Sequence, residues 1–156
     1  NQWRTPSRGK PMRRGSSVMD DAENLSTGRW LKKAHHDLAA ARTLLREYPQ
    51  VTDVICFHTQ QCVEKALKGY LTYIGRHVEK THHLPLLLSY CVEHDPELMR
   101  LETIVKRLTP YAVEVRYPDD WREISVEEAS TAVQYAEEAL MRIEIKIGWN
   151  PTNPSG

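Results

Sequence analysis

From Ser26 onward the apolar residues of this 156-residue chain return every three or four positions, and no segment alternates with period two. That rhythm belongs to helices with one buried face and leaves no run from which to build a sheet. Trp30, Ala34, Leu38, Ala41 and Leu45 mark a first helix, capped by Ser26 or Thr27 and stopped before Pro49. Ile55, Cys62, Ala66, Tyr70 and Ile74, thickened by Val63, Leu67 and Leu71, mark a second, opened at Thr52 or Asp53 and closed at Gly75. A short helix follows around His83–His94. A fourth starts at Asp95-Pro96 and carries Leu98, Leu101, Ile104, Val105, Leu108, Ala112 and Val115 as far as Tyr117-Pro118. Pro110 removes one ladder donor inside it and predicts a kink near Lys106–Thr109. Ser125 with Glu128 predicts a capping box for the last helix, whose stripe is Val126, Ala129, Val133, Ala136, Leu140 and Ile143. Five helices with short connections describe an all-α, up-and-down bundle.

Charge divides the chain. Residues 1–18 hold Arg4, Arg8, Lys10, Arg13 and Arg14 and no acid, which leaves the remainder at −5 because the whole is neutral. The expected organisation is a disordered basic leader over 1–25, a bundle over 26–147 and a fraying tail over 148–156. Met12 and Met19 would each start a shorter chain. A basic arm can touch nucleic acid weakly through counterion release, or can be a solvated tail with no role. No apolar run reaches the roughly 18 residues of a membrane span, and the basic start lacks the apolar centre of a secretory signal. Three cysteines, Cys56, Cys62 and Cys91, form an odd set without a CxxC pair. They read as free, mostly buried thiols of a reducing, cytoplasmic setting, with no zinc site.

Three groups of residues have chemistry to offer. On the second helix His58, Gln61, Lys65, Lys68 and Thr72 fall within an arc of about 80°, and such a stripe can hold a phosphate and read a base edge. The same arc lies opposite the apolar face, where solvent normally sits. Lys80-Thr81-His82-His83-Leu84 sets cationic groups beside a helix start, where N–H groups favour anions, although Thr81 also serves as a plain cap. Adjacent His82 and His83 point about 100° apart on a helix, which argues against a shared metal ion. Arg116-Tyr117-Pro118 closes the fourth helix, where an arginine interacts well with the final carbonyls.

The run Phe57-His58-Thr59-Gln60-Gln61-Cys62-Val63-Glu64-Lys65-Ala66-Leu67-Lys68 resembles the signature of the HEPN family (higher eukaryotes and prokaryotes nucleotide-binding), in which a helix carries a QxxEKALK-like stretch. Lys80-Thr81-His82-His83-Leu84 resembles its "THDL" element, with His83 where the family often has aspartate. Arg116-Tyr117-Pro118 resembles its "RYP" element. The resemblance spans about Gly28 to Ile147. It implies a helical bundle that forms a homodimer, takes part in nucleotide or RNA transactions without a cofactor, and acts beside a separate minimal nucleotidyltransferase in a toxin–antitoxin or two-component system. Its implied nucleotide contacts are Gln61, Lys65, Lys68, Lys80, His82 and Arg116.

Other members of that family are metal-independent ribonucleases that use an arginine, four to six residues, then a histidine. Arg116 is followed by no histidine. The spacing recurs at Arg76 with His82, which straddle a loop and could converge on a phosphate, and at Arg29 with His35, which point apart on one helix. The expected function is therefore a nucleotide- or RNA-binding module. The alternatives are an endoribonuclease toxin using Arg76 and His82, and a structural dimer whose polar stripe only solubilises it. The acidic body favours a small nucleotide in a local cationic pocket over general binding of RNA.

Overall fold

A computed structural model describes residues 17–112 and 122–150, with side chains from residue 21 onward. Five α-helices appear in the expected order: α1 (Ser17–Glu47), α2 (Thr52–Tyr73), α3 (Leu84–His94), α4 (Glu102–Leu108) and α5 (Val126–Ile147). Three-residue-per-turn segments flank α4 at Pro96–Leu101 and Thr109–Ala112. The all-α bundle is thus observed, and its differences from expectation lie at the ends of elements.

The first helix begins at Ser17, well before the expected cap. Thr27 lies inside it and is buried. Ser26 and Thr27 would cap a helix only at its start, and here the helix already runs through both. The leader expected to be disordered up to residue 25 therefore includes helix from 17, while residues 1–16 fall outside the described structure. In α2 the residue preceding the helix is Val51, without a side-chain cap, and Thr52 and Asp53 sit in the first turn. Its other end follows the expectation. Gly75 adopts φ 76°, its N–H reaches the Thr72 carbonyl at 3.0 Å, and the Arg76 N–H reaches Leu71 at 2.9 Å. This pair of bonds is the Schellman closure, and the left-handed conformation is what asks for glycine.

Asp95 caps as expected, accepting from the Glu97 N–H at 3.1 Å, but the turn it opens is the tighter Pro96–Leu101 segment. Pro110 does not kink a continuing helix. The α-helical hydrogen bonding stops at Leu108, and Pro110 falls in the tighter turn that follows. The expected continuation to Val115 lies outside the described residues. Ser125 caps α5 by accepting from the Glu128 N–H at 3.0 Å. The return half of the capping box is missing, because the Glu128 carboxylate is held by Arg122 and Tyr111. Gly148 ends α5 in the left-handed region, and the Trp149 ring beyond it packs on the core beside His35 rather than fraying.

Helix α2 is the axle. It packs against α1, α3, α5 and the Thr109–Ala112 turn. Its buried residues run right round it, from Ile55 and Val63 to Leu67 and Leu71, and include Gln60, Glu64 and Lys68. A narrow strip with Val54, His58, Gln61 and Lys65 keeps partial contact with solvent, less than the helix's own apolar stripe suggests. Gly69 lets α1 come close: a methyl there would stand 3.2 Å from the Cβ of Trp30 and from Cδ2 of Leu31. Helix α5 runs antiparallel to α1, and the two are joined by contacts of His35 with Glu144 and of Arg42 with Glu137. All three cysteines are free and buried, as expected. Among the described residues no helix is long and apolar enough to cross a membrane.

Candidate functional site

The polar arc of α2 expected to face solvent is instead roofed by α1 and by the connection before α3. Two clusters result, each built on a buried carboxylate. In the first, Asp37 of α1 accepts from the Nδ1–H of His58 at 2.8 Å and from the Lys65 ammonium at 2.5 Å. Burial pushes the Asp37 carboxyl upward, but the bonds from His58 and Lys65 outweigh it and hold the group below its ordinary value.

In the second cluster Glu64 is the hub. It is 3% exposed, and Lys68, 6% exposed, donates to its Oε2 at 2.9 Å. The Lys68 ammonium also stands 5.6 Å from the centre of the Trp30 ring, a cation–π contact from α1. His82 comes in from the connection and donates from Nδ1, 3.0 Å from both carboxylate oxygens. The fully buried Gln60 ties the same connection down by donating to the His82 carbonyl at 3.2 Å. Gln61 donates to the Gln60 side-chain oxygen at 2.8 Å and, at 3.4 Å, to Glu64. A buried carboxylate with this many donors is satisfied, and it fixes every group that points at it.

The structure thus brings Gln61, Lys68 and His82 together, from two separate segments, around one anion. That anion is the protein's own Glu64. Lys65 is turned to the neighbouring Asp37. Lys80 is exposed on the connection, and Thr81 accepts the His83 N–H at 3.1 Å, a local turn contact; it does not cap α3, whose N-cap residue is His83. The His82 ring is 65% exposed, with its Nδ1 edge held inward. Arg76 does not share this centre: its guanidinium donates to Glu93 at 2.6 Å and stacks 4.1 Å over the Tyr90 ring. Arg76 and His82 are therefore oriented by different carboxylates. Arg116, with Tyr117 and Pro118, lies outside the described residues.

Sequence reasoning gave no role to Glu64 or Asp37. The signal for Glu64 was present, because Glu64 and Lys68 are spaced i,i+4, the separation at which opposite charges meet on a helix. Asp37 had no such local mark. A third constellation was also missed. Tyr111 donates to Glu128 at 2.5 Å, and both outer nitrogens of Arg122 reach the same carboxylate, at 3.0 and 2.7 Å. The hydrogen bond from Arg122 is the main reason that the Glu128 carboxyl sits below its ordinary range. These residues border a cleft of about 490 Å³ that is also lined by Arg107, Thr131 and Tyr135.

Comparison with known proteins agrees with this architecture. The family model described as "HEPN domain" matches residues 27–146. A protein of Methanocaldococcus jannaschii named "Putative toxin MJ1304" is 29% identical over 127 residues, covering 71% of this chain and 81% of that protein. The crystal structure of TT1696 from Thermus thermophilus superposes with a TM-score of 0.65 at 29% identity, over 77% of this chain and 97% of that one. The crystal structure of ST0689, described as an archaeal HEPN homologue, superposes at 0.59 with 23% identity, over 78% and 97% of the two chains.

Proposed function

The chain belongs to the HEPN domain family, and from that premise we propose that it is the nucleotide- or RNA-binding half of a two-component, toxin-type system whose other half is a separate minimal nucleotidyltransferase. The observation that carries this reading is the convergence on Glu64. The α2 run and the Lys80–Leu84 element, distant in sequence, fold into one rigid centre that presents Lys80, His82 and His83 at the surface. The name of the M. jannaschii relative supports the toxin setting. The ligand contacts in this reading are Lys80, His82 and Arg116, while Gln61, Lys65 and Lys68 act from behind as positioning residues. The working form is a homodimer.

One observation favours a second reading, an endoribonuclease. An exposed imidazole held through Nδ1 by a buried carboxylate has the arrangement of an oriented acid–base group. In that case His82, positioned by Glu64, moves the proton of the attacking 2′-hydroxyl, without help from Arg76. The two readings separate in one assay of the purified chain on single-stranded RNA with chelator present. The module binds without cutting, binding weakens in His82→Ala, and a neighbouring reading frame encodes a minimal nucleotidyltransferase that co-purifies with the chain. Cleavage that disappears in His82→Ala replaces the first reading with the second. Neither binding nor cleavage, with no complex formed, removes both.

A further inference from the structure

On the outer face of α1, Arg29, Lys32, Lys33 and His36 lie within about 100° of one another, with Arg29 three and four residues before Lys32 and Lys33, and His36 four and three after them. All four are exposed, and among the described residues none has a hydrogen-bond or ion-pair partner. This is unlike most of the described surface, where Arg42 meets Glu137, Arg142 meets Glu138 and Lys146 meets Asp95. Like charges at i,i+3 and i,i+4 repel one another and weaken the helix that bears them. The face therefore opposes folding slightly, in a body whose net charge is acidic and whose carboxylates neutralise cations elsewhere. Leu25, 55% exposed, adjoins the stripe one turn before it.

The stripe also borders the centre already described. Trp30, which lies over Lys68, and Asp37, which holds Lys65, are 40–60° round α1 from Lys33. Cationic surface consequently runs from the outer face of α1 toward the edge where α1 meets the α2 clusters. The apolar side of α1, with Leu31, Ala34 and Leu38, is buried in the core, which leaves Leu25 beside the stripe and no apolar face broad enough for insertion into a bilayer.

We infer that the outer face of α1 is a phosphate-tracking surface for single-stranded RNA, with Arg29, Lys32 and Lys33 as its contacts. This deepens the RNA reading proposed above and rests on it. It assigns the polyanion to a surface that none of the family-like motifs touches, and leaves the His82 region to act on whatever the strand delivers.

The test uses the full chain and a fluorescent 20-nucleotide oligouridylate titrated at several salt concentrations. Arg29→Gln, Lys32→Gln and Lys33→Gln are combined, glutamine being a good helix former at exposed positions. A control with the same change of net charge combines Arg42→Gln, Arg46→Gln and Lys106→Gln, at cations that are ion-paired. Three lost phosphate contacts lower the log–log salt slope by about 2, equivalent to about 100-fold weaker binding near 0.1 M salt. The control stays close to the parent, and circular dichroism shows all three proteins equally helical. Equal weakening in both triple variants overturns the proposal, since only long-range charge is then at work. RNA binding that ignores the stripe sinks this inference and leaves the module reading standing. A parent chain that binds no RNA ends this inference and the RNA form of the module reading together.

Discussion

Replacing Glu64 by glutamine tests the centre of the structure with little change of shape. Glu64 and Lys68 are both buried and 2.9 Å apart, so the substitution leaves an ammonium in the interior without its carboxylate. Breaking a buried pair from one side costs about 3–5 kcal/mol. The Trp30 ring stays beside Lys68 and offsets about 1 kcal/mol of this. A net loss of about 2–4 kcal/mol is expected, and at roughly 4 °C per kcal/mol for a chain of this size it lowers Tm by about 8–16 °C. Lys68→Met should cost less, because Gln60, Gln61 and His82 still donate to Glu64 in its absence. The double variant Glu64→Gln/Lys68→Met removes both charges and should recover much of the loss, a coupling that a double-mutant cycle in urea measures directly. If Glu64→Gln costs less than about 1 kcal/mol and the two substitutions simply add, the buried hub is not what holds these segments together.

The Asp37 carboxyl, lowered in the folded chain from an ordinary value of 3.8, gives stability that is complete above that value and is lost as pH falls through the folded one. Asp37→Asn should therefore flatten the fall of Tm as pH drops below the ordinary value of 3.8, seen in thermal melts across acidic buffers. Tyr111→Phe removes a hydrogen bond to the charged Glu128 and should cost about 1.5–3 kcal/mol in denaturant unfolding. Burial pushes the Cys56 and Cys91 thiols up to about 12 and Cys62 higher still. In a thiol-reagent assay at neutral pH all three should stay unmodified in the native chain and react once it is unfolded; rapid native labelling would contradict the packing.

The sequence made the fold legible because burial imposes a period, and Leu38, Leu67 and Leu140 obey it wherever they lie. Helix ends were less legible. Gly75 announces a stop by itself, whereas Ser26 and Thr27, both good cap residues, lie well inside α1. The candidate site was legible in its membership and not in its meaning. A helical wheel of α2 taken alone puts Lys65 and Lys68 opposite the apolar stripe and so in water. Only the presence of α1 and of the connection at residues 74–83 shows that this side is roofed, and no local pattern in the chain encodes a neighbour. For the same reason the partner of Lys65 could not be read: Asp37 is 28 residues away, and only tertiary packing brings it within reach.

Gly69 extends that point to a position with no charge of its own. A methyl group placed there would press on Trp30 and Leu31, and α1 would have to move outward to admit it. Outward movement lifts the indole away from the ammonium of Lys68, the adjoining residue. The electrical surroundings of the buried lysine are thus set in part by a hydrogen atom next door. A search confined to ionisable positions would pass over the residue that tunes them.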